Sequence, residues 1–193
     1  MAVYREPKEN AVSAIATDRE IVDFWEAAGP AKWFAKDEAF DTEISERFGA
    51  TYRAASDGRL DEWELAPRGS LALILLLDQF PRNMFRGSKD VYRTDAQAVL
   101  LAERAIERGH HEAYAPPMRR FFFLPFQHAE DLAAQDRAVA LSEKSGDADG
   151  VKWARHHRDI IARFGRFPHR NALLGRESTP EEAAFLKESD FRG

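Results

Sequence analysis

Two segments of the chain set arginine and asparagine just after a Phe-Pro pair: Gln79-Phe80-Pro81-Arg82-Asn83 running on to Arg86-Gly87, and Arg166-Phe167-Pro168-His169-Arg170-Asn171 running on to Gly175-Arg176. Guanidinium groups keep their charge at physiological pH and meet planar oxyanions with two parallel N–H donors. Arg82, Arg86, Arg120, Arg166 and Arg170 are therefore candidates to hold a phosphate or carboxylate. Histidine beside such a site supplies a proton donor or acceptor near neutral pH, which makes His128 and His157 the candidate acid–base residues and His169 a further contact. Asp78, Asn83, Glu130 and Asn171 complete the candidate ligand-binding set. Asp78 ends a very apolar stretch, so its carboxylate needs an arginine or backbone donors.

A structural reading of the same residues stands beside this one. Arg82 paired with Asp78, and Arg170 paired with Glu130 or Asp159, would be buried ion pairs that hold helix ends. His157, on a face with Trp153, Ile160 and Phe164, would then be a packed core histidine. His110-His111, after Gly109, reads as an exposed loop, and Trp25, Trp33 and the phenylalanine cluster read as core.

The elements that would position these groups are helical almost throughout. Asp18 can cap a helix through Ile21, Val22, Phe24 and Trp25 that stops at Gly29-Pro30. Residues 37–56 carry Phe40, Ile44, Phe48 and Tyr52 on one apolar stripe. Pro67 opens a segment whose residues 71–80 are apolar all round, a central buried helix ending near Pro81. Thr94 or Asp95 starts a helix through Ala98, Leu101, Ala105 and Ile106, stopped by Gly109. A turn at Pro116-Pro117 leads into residues 118–126, followed by helices at about 129–144 and 149–164, with Thr179-Pro180-Glu181-Glu182 capping a last short one. Phe121-Phe122-Phe123 invites a strand, but no second segment could pair with it. The fold class is all-α, with antiparallel helix pairs in a compact bundle or a short tetratricopeptide-like solenoid. No strict 34-residue repeat is present.

A length of 193 residues suits one domain, with about 1–15 and 188–193 expected to fray. The absence of cysteine excludes disulfides, thiolate metal sites and a thiol nucleophile. Residues 1–17 lack the apolar run of a secretory signal, and the longest apolar run is far short of the roughly 20 residues a membrane span needs. A soluble, cytoplasmic protein is expected, with no membrane partner. The net charge of −5 hides an asymmetry: residues 1–65 hold 15 Asp and Glu against 8 Lys and Arg, whereas residues 152–176 hold seven Lys and Arg against Asp159 alone. This is either a basic pocket for an anion or a basic segment docked on the acidic N-terminal part. Without a recognised motif or a basic overall balance, nucleic acid is not an expected partner. His-Glu-x-x-His, glycine-rich phosphate loops, dinucleotide fingerprints and a serine nucleophile elbow are all missing, so neither a metal nor a cofactor is expected.

The chain resembles the bacterial domain of unknown function 924 family. The resemblance rests on Leu77-Asp78-Gln79-Phe80-Pro81-Arg82-Asn83, on Arg120-Phe121-Phe122-Phe123-Leu124-Pro125-Phe126-Gln127-His128-Ala129-Glu130, and on His157-Arg158-Asp159-Ile160-Ile161 leading into Phe164-Gly165-Arg166-Phe167-Pro168-His169-Arg170-Asn171 and Leu174-Gly175-Arg176. Val22-Asp23-Phe24-Trp25 and Trp33-Phe34 extend it over nearly the whole chain. One departure is Ala129, where the family pattern more often has Ser. The resemblance implies a tetratricopeptide-like helical fold and no established activity. Three classes of function stay open: binding, with or without turnover, of a small phosphate- or carboxylate-bearing molecule; recognition of a peptide on a helical surface; and motifs that serve folding alone. Oligomeric state is not legible.

Overall fold

The computed structural model describes residues 14–188, and among them every regular element is helical. The expectation that residues 1–15 and 188–193 fray falls almost wholly outside the described residues. Helix α1 (Asp18–Ala28) is capped by Thr17 and not by Asp18. The reason is reciprocity: Thr17 Oγ1 accepts from the Glu20 amide at 3.3 Å, while the Glu20 carboxylate accepts from the Thr17 amide at 2.8 Å. Gly29, at φ 71°, ends α1, and Pro30 at once opens the single turn α2 (Pro30–Trp33). Trp33 Nε1–H donates to the Trp25 carbonyl at 2.6 Å, folding that turn back onto α1.

Helix α3 (Glu38–Ser56) starts at Asp37, whose carboxylate accepts from the Ala39 and Phe40 amides. Its stripe of Phe40, Ile44, Phe48 and Tyr52 is buried along its length. After a 3₁₀ turn at Asp61–Leu65, α4 (Pro67–Ile74) begins with Pro67 in its first turn. Gly69 admits the Trp63 backbone so closely that a Cβ there would collide with the Trp63 carbonyl oxygen.

The expectation that Pro81 stops the central helix does not hold. Helix α4 passes through a π turn, Leu75–Gln79, directly into α5 (Phe80–Met84), with Pro81 in the first turn of α5. Proline has no N–H to give to the carbonyl four residues back. The wider turn takes up the mismatch, since the Phe80 amide reaches back to the Leu75 carbonyl. The Leu77 carbonyl that Pro81 cannot serve instead accepts the Thr94 hydroxyl at 2.6 Å, and the Arg82 guanidinium donates to the Asp78 carbonyl.

Helix α6 (Asp95–Glu107) follows, with Gly109 in the left-handed region just beyond its end. The three phenylalanines are not a strand: they run from a 3₁₀ turn (Met118–Phe122) toward α7 (Leu124–His128). Helices α8 (Leu132–Ser145) and α9 (Ala148–Phe164) fold back on each other across Gly146-Asp147. The second Phe-Pro pair does not stop a helix either. Gly165, at φ 68°, ends α9 before it, and Pro168 opens a short 3₁₀ turn, Pro168–Arg170. Helix α10 (Pro180–Glu188) closes the described chain.

The α4–α5 unit is the centre of a helical bundle, flanked by α1, α3 and α6. Phe80 is fully buried between Trp25 and Phe48, with ring centroids 5.5 and 5.3 Å away; burial of such a side chain stabilises by about 2 kcal/mol. A second, smaller cluster joins Ile160, Ile161 and Phe167 with Phe164 and Phe185. The π turn lies in the main core and Phe167 in the small cluster, and the cleft described next is lined from both.

Candidate functional site

Asp78 is the fixed point. It is fully buried in the π turn, and its Oδ1 stands 2.8 Å from His128 Nδ1 at the C-terminal end of α7. Gln79 donates its side-chain amide to Oδ2, and Arg82 approaches Oδ1 at 3.5 Å. Burial works against ionisation of this carboxyl, but Arg82 and His128 prevail and hold it at about 2. An ionised carboxylate can only accept, so Nδ1 of His128 carries the proton, and neutral His128 keeps its lone pair on Nε2. Burial, with Arg82 nearby, pushes the His128 imidazole below its ordinary value.

Two arginines share a second carboxylate. Arg82 reaches Asp95 with NH1 at 3.2 Å and NH2 at 3.1 Å, and Arg170 NH1 lies 3.5 Å from the other Asp95 oxygen. Arg170 is 7% exposed and its guanidinium carbon sits 4.4 Å from the Tyr92 ring centroid and 4.6 Å from that of Phe167. Its Nε is buried with no hydrogen-bond partner. Burial, then Arg82, lowers the Arg170 pKa from its ordinary value.

A cleft of about 280 Å³ opens onto these groups, lined by Arg82, Asn83, Arg86, His128, His157, His169 and Arg170 together with Gln79 and an aromatic set. Asn83 and Arg86 are also tied to α3: Asn83 Nδ2 donates to Asp41 at 2.7 Å, and Arg86 binds the same carboxylate through Nε at 2.7 Å and NH2 at 3.0 Å. His157 Nδ1 lies 2.8 Å from the Trp153 carbonyl, to which it donates, and its ring meets those of His128 and Phe167 at 6.4 and 5.7 Å. Burial holds both His157 and His169 at about 3.

The other candidate residues lie elsewhere. Arg120 binds Asp147, the N-cap of α9, with two 2.7 Å bonds. Glu130, Arg166 and Asn171 belong to a clamp over the C-terminal segment. Glu130 accepts the Phe167 amide and both Arg176 amino groups, Arg166 grips Glu182 at 2.6 and 2.8 Å, and Asn171 donates to Ser178 and Glu182. Neither Glu130 nor Asp159 is the hydrogen-bonded counter-ion of Arg170; Glu130 pairs with Arg176, and Asp159 is exposed beside Arg158.

The basic segment, residues 152–176, forms no ion pair with residues 14–65, the described part of the acidic N-terminal region. Among the described residues its ion pairs run to Glu143, Asp136, Asp159, Glu181, Glu182, Asp95 and Glu130. His110 and His111 are in a 3₁₀ turn and half-buried, His110 against Ser70 Oγ at 2.9 Å. Asp95, Tyr92, Gln79, Phe34 and Leu173 are among the site residues that reading the sequence missed; Asp95 was legible only as a helix start. Among the described residues no group of three or more His, Asp and Glu is placed to hold a metal ion, and no helix is long and apolar enough to cross a membrane.

The family model described as "Bacterial protein of unknown function (DUF924)" matches residues 21–190. A solved structure of a protein of unknown function from Agrobacterium tumefaciens is similar at 52% identity and a TM-score of 0.87, over 89% of this chain and 97% of that one. No curated protein matches.

Proposed function

We propose that this chain, which belongs to the bacterial DUF924 family, uses the cleft around Arg82, His128 and Arg170 to bind a small phosphate- or carboxylate-bearing molecule and to move a proton on it. The observation that carries this reading is the state of Arg170. It is buried, its Nε has no partner, and its contact with Asp95 is long at 3.5 Å. Each buried donor left unmet costs about 1–3 kcal/mol, so an acceptor brought to this guanidinium is stabilising. An oxyanion in the cleft supplies acceptors to Arg170, and Arg82 adds charge beside it.

His128 is the better proton acceptor of the two candidates. Asp78 fixes its tautomer and offsets the positive charge that proton uptake on Nε2 creates. The Nδ1 of His157 meets a backbone carbonyl, which does not carry the charge of a carboxylate. The modest size of the cleft favours a small molecule over a peptide.

Calorimetric titration of the wild type and Arg170→Ala with inorganic phosphate and with acetate tests the reading. Binding of either ion to the wild type, weakened about tenfold or more in a variant that still melts cooperatively, is the expected result. No binding, together with a stability loss above about 3 kcal/mol in the variant, assigns Arg170 to the fold alone.

A further inference from the structure

The cleft that holds Arg170 is also aromatic, since Trp33, Phe34, Tyr92 and Phe167 all line it. Phe34 is the one of these four whose ring is largely in solvent, at 59% exposure. It stacks on Phe121 at 6.3 Å and 18° and meets Trp33 edge-on at 6.4 Å and 83°. Its position is therefore set by packed neighbours while much of its surface faces water beside the cleft. Leu173, 37% exposed, lines the same opening just after Pro168–Arg170. An exposed large apolar ring contributes little to the fold, and next to a charged, concave site it matches a ligand's apolar part.

We infer that the ligand joins its anionic group to a single flat ring, as an aryl phosphate or aryl carboxylate does, with the acid on Arg170 and Arg82 and the ring against Phe34. The inference rests on the anion-binding reading above. Size agrees with it: a cleft of about 280 Å³ is at the small end of ligand pockets, which suits one six-membered ring with one acid group. Aromatic pairs in offset or edge-to-face contact gain beyond area burial alone, so the ring discriminates between ligands that share the same acid.

Two matched pairs of probes test it: methyl phosphate against phenyl phosphate, and acetate against benzoate, each titrated calorimetrically into the wild type. The aryl member of at least one pair is expected to bind about tenfold tighter than its alkyl partner. In Phe34→Ala that ratio should fall below about threefold, and in Phe34→Tyr, which keeps the ring, it should be retained. Equal binding of alkyl and aryl probes, or a ratio that survives in Phe34→Ala, overturns the aromatic inference and leaves the anion site standing. Failure of all four probes to bind overturns both. Thermal melts of the two variants check that each still unfolds cooperatively, with Phe34→Ala expected to lose some stability through its contacts with Phe121 and Trp33.

Discussion

His128 Nδ1 lies 2.8 Å from Asp78 Oδ1 although fifty positions separate them in the chain. The contact joins the π turn of the central helix to the C-terminal end of α7, and it faces the cleft through His128 alone, with Asp78 fully buried behind it. One carboxylate thereby sets the tautomer of the histidine and neutralises part of the charge of Arg82.

Asp78→Asn is expected to lower stability by about 3 kcal/mol, because it leaves Arg82 with one fewer buried counter-charge. The pH dependence has a definite sign. The folded carboxyl, at about 2, lies below its unfolded value of ~3.9, so its contribution is present above about pH 4 and is lost as pH falls toward 2. Urea midpoints between pH 5 and 2 should therefore fall more gently in Asp78→Asn than in the wild type. An equally steep acid limb in both would refute the assignment.

His157 and His169 also cost stability on acidification, but because the folded state keeps them neutral. Burial depresses both to about 3, below the unfolded ~6.5, so the unfolded chain binds more protons between these values. Stability is full above about pH 6.5 and declines on acidification, by about 1.4 kcal/mol per pH unit for each histidine well below that point. Urea unfolding at pH 7, 6 and 5 should show the decline, and His157→Gln should reduce its slope. A slope identical in the variant would show that His157 titrates normally.

Asp95→Asn separates a ligand site from a structural network. Asp95 is the carboxylate shared by Arg82 and Arg170, so removing its charge leaves both guanidinium groups more available to an anion. Phosphate or acetate affinity should rise by about threefold or more while the melting temperature falls. Lower stability with no gain in affinity would count against the anion site.

Thr94→Val keeps shape and removes the hydroxyl that serves the Leu77 carbonyl at the Pro81 break. A buried carbonyl left without a donor costs about 1–3 kcal/mol, and a urea titration should find a loss in that range. A variant as stable as the wild type would mean that the wider turn alone accommodates Pro81.

Much of the helical layout is legible in the chain because its signals are local. The stripe of Phe40, Ile44, Phe48 and Tyr52 marks the buried face of α3, and Gly109 and Gly165 mark helix ends that only glycine takes up easily at positive φ. Pro81 was misleading for the complementary reason. The helix continues there through a π turn, with the freed Leu77 carbonyl taken by a hydroxyl from Thr94, well beyond the reach of any local pattern.

The candidate site divides along the same line. Residue types alone marked arginine, histidine and carboxylate as the chemistry, and the chain brings Arg82, Asn83, Arg86, His128, His157, His169 and Arg170 around one cleft. It sends Arg120 to Asp147 and binds Glu130, Arg166 and Asn171 into the C-terminal clamp. By itself the sequence determined the all-helical class and the faces that are buried, since helical periodicity depends on neighbours three and four residues apart. Only the tertiary structure decided which carboxylate each arginine meets and which guanidinium is left short of partners. Coulomb attraction does not depend on where in the chain the opposite charge arises, so any of several acids could have served until packing brought Asp95 to Arg82 and Arg170.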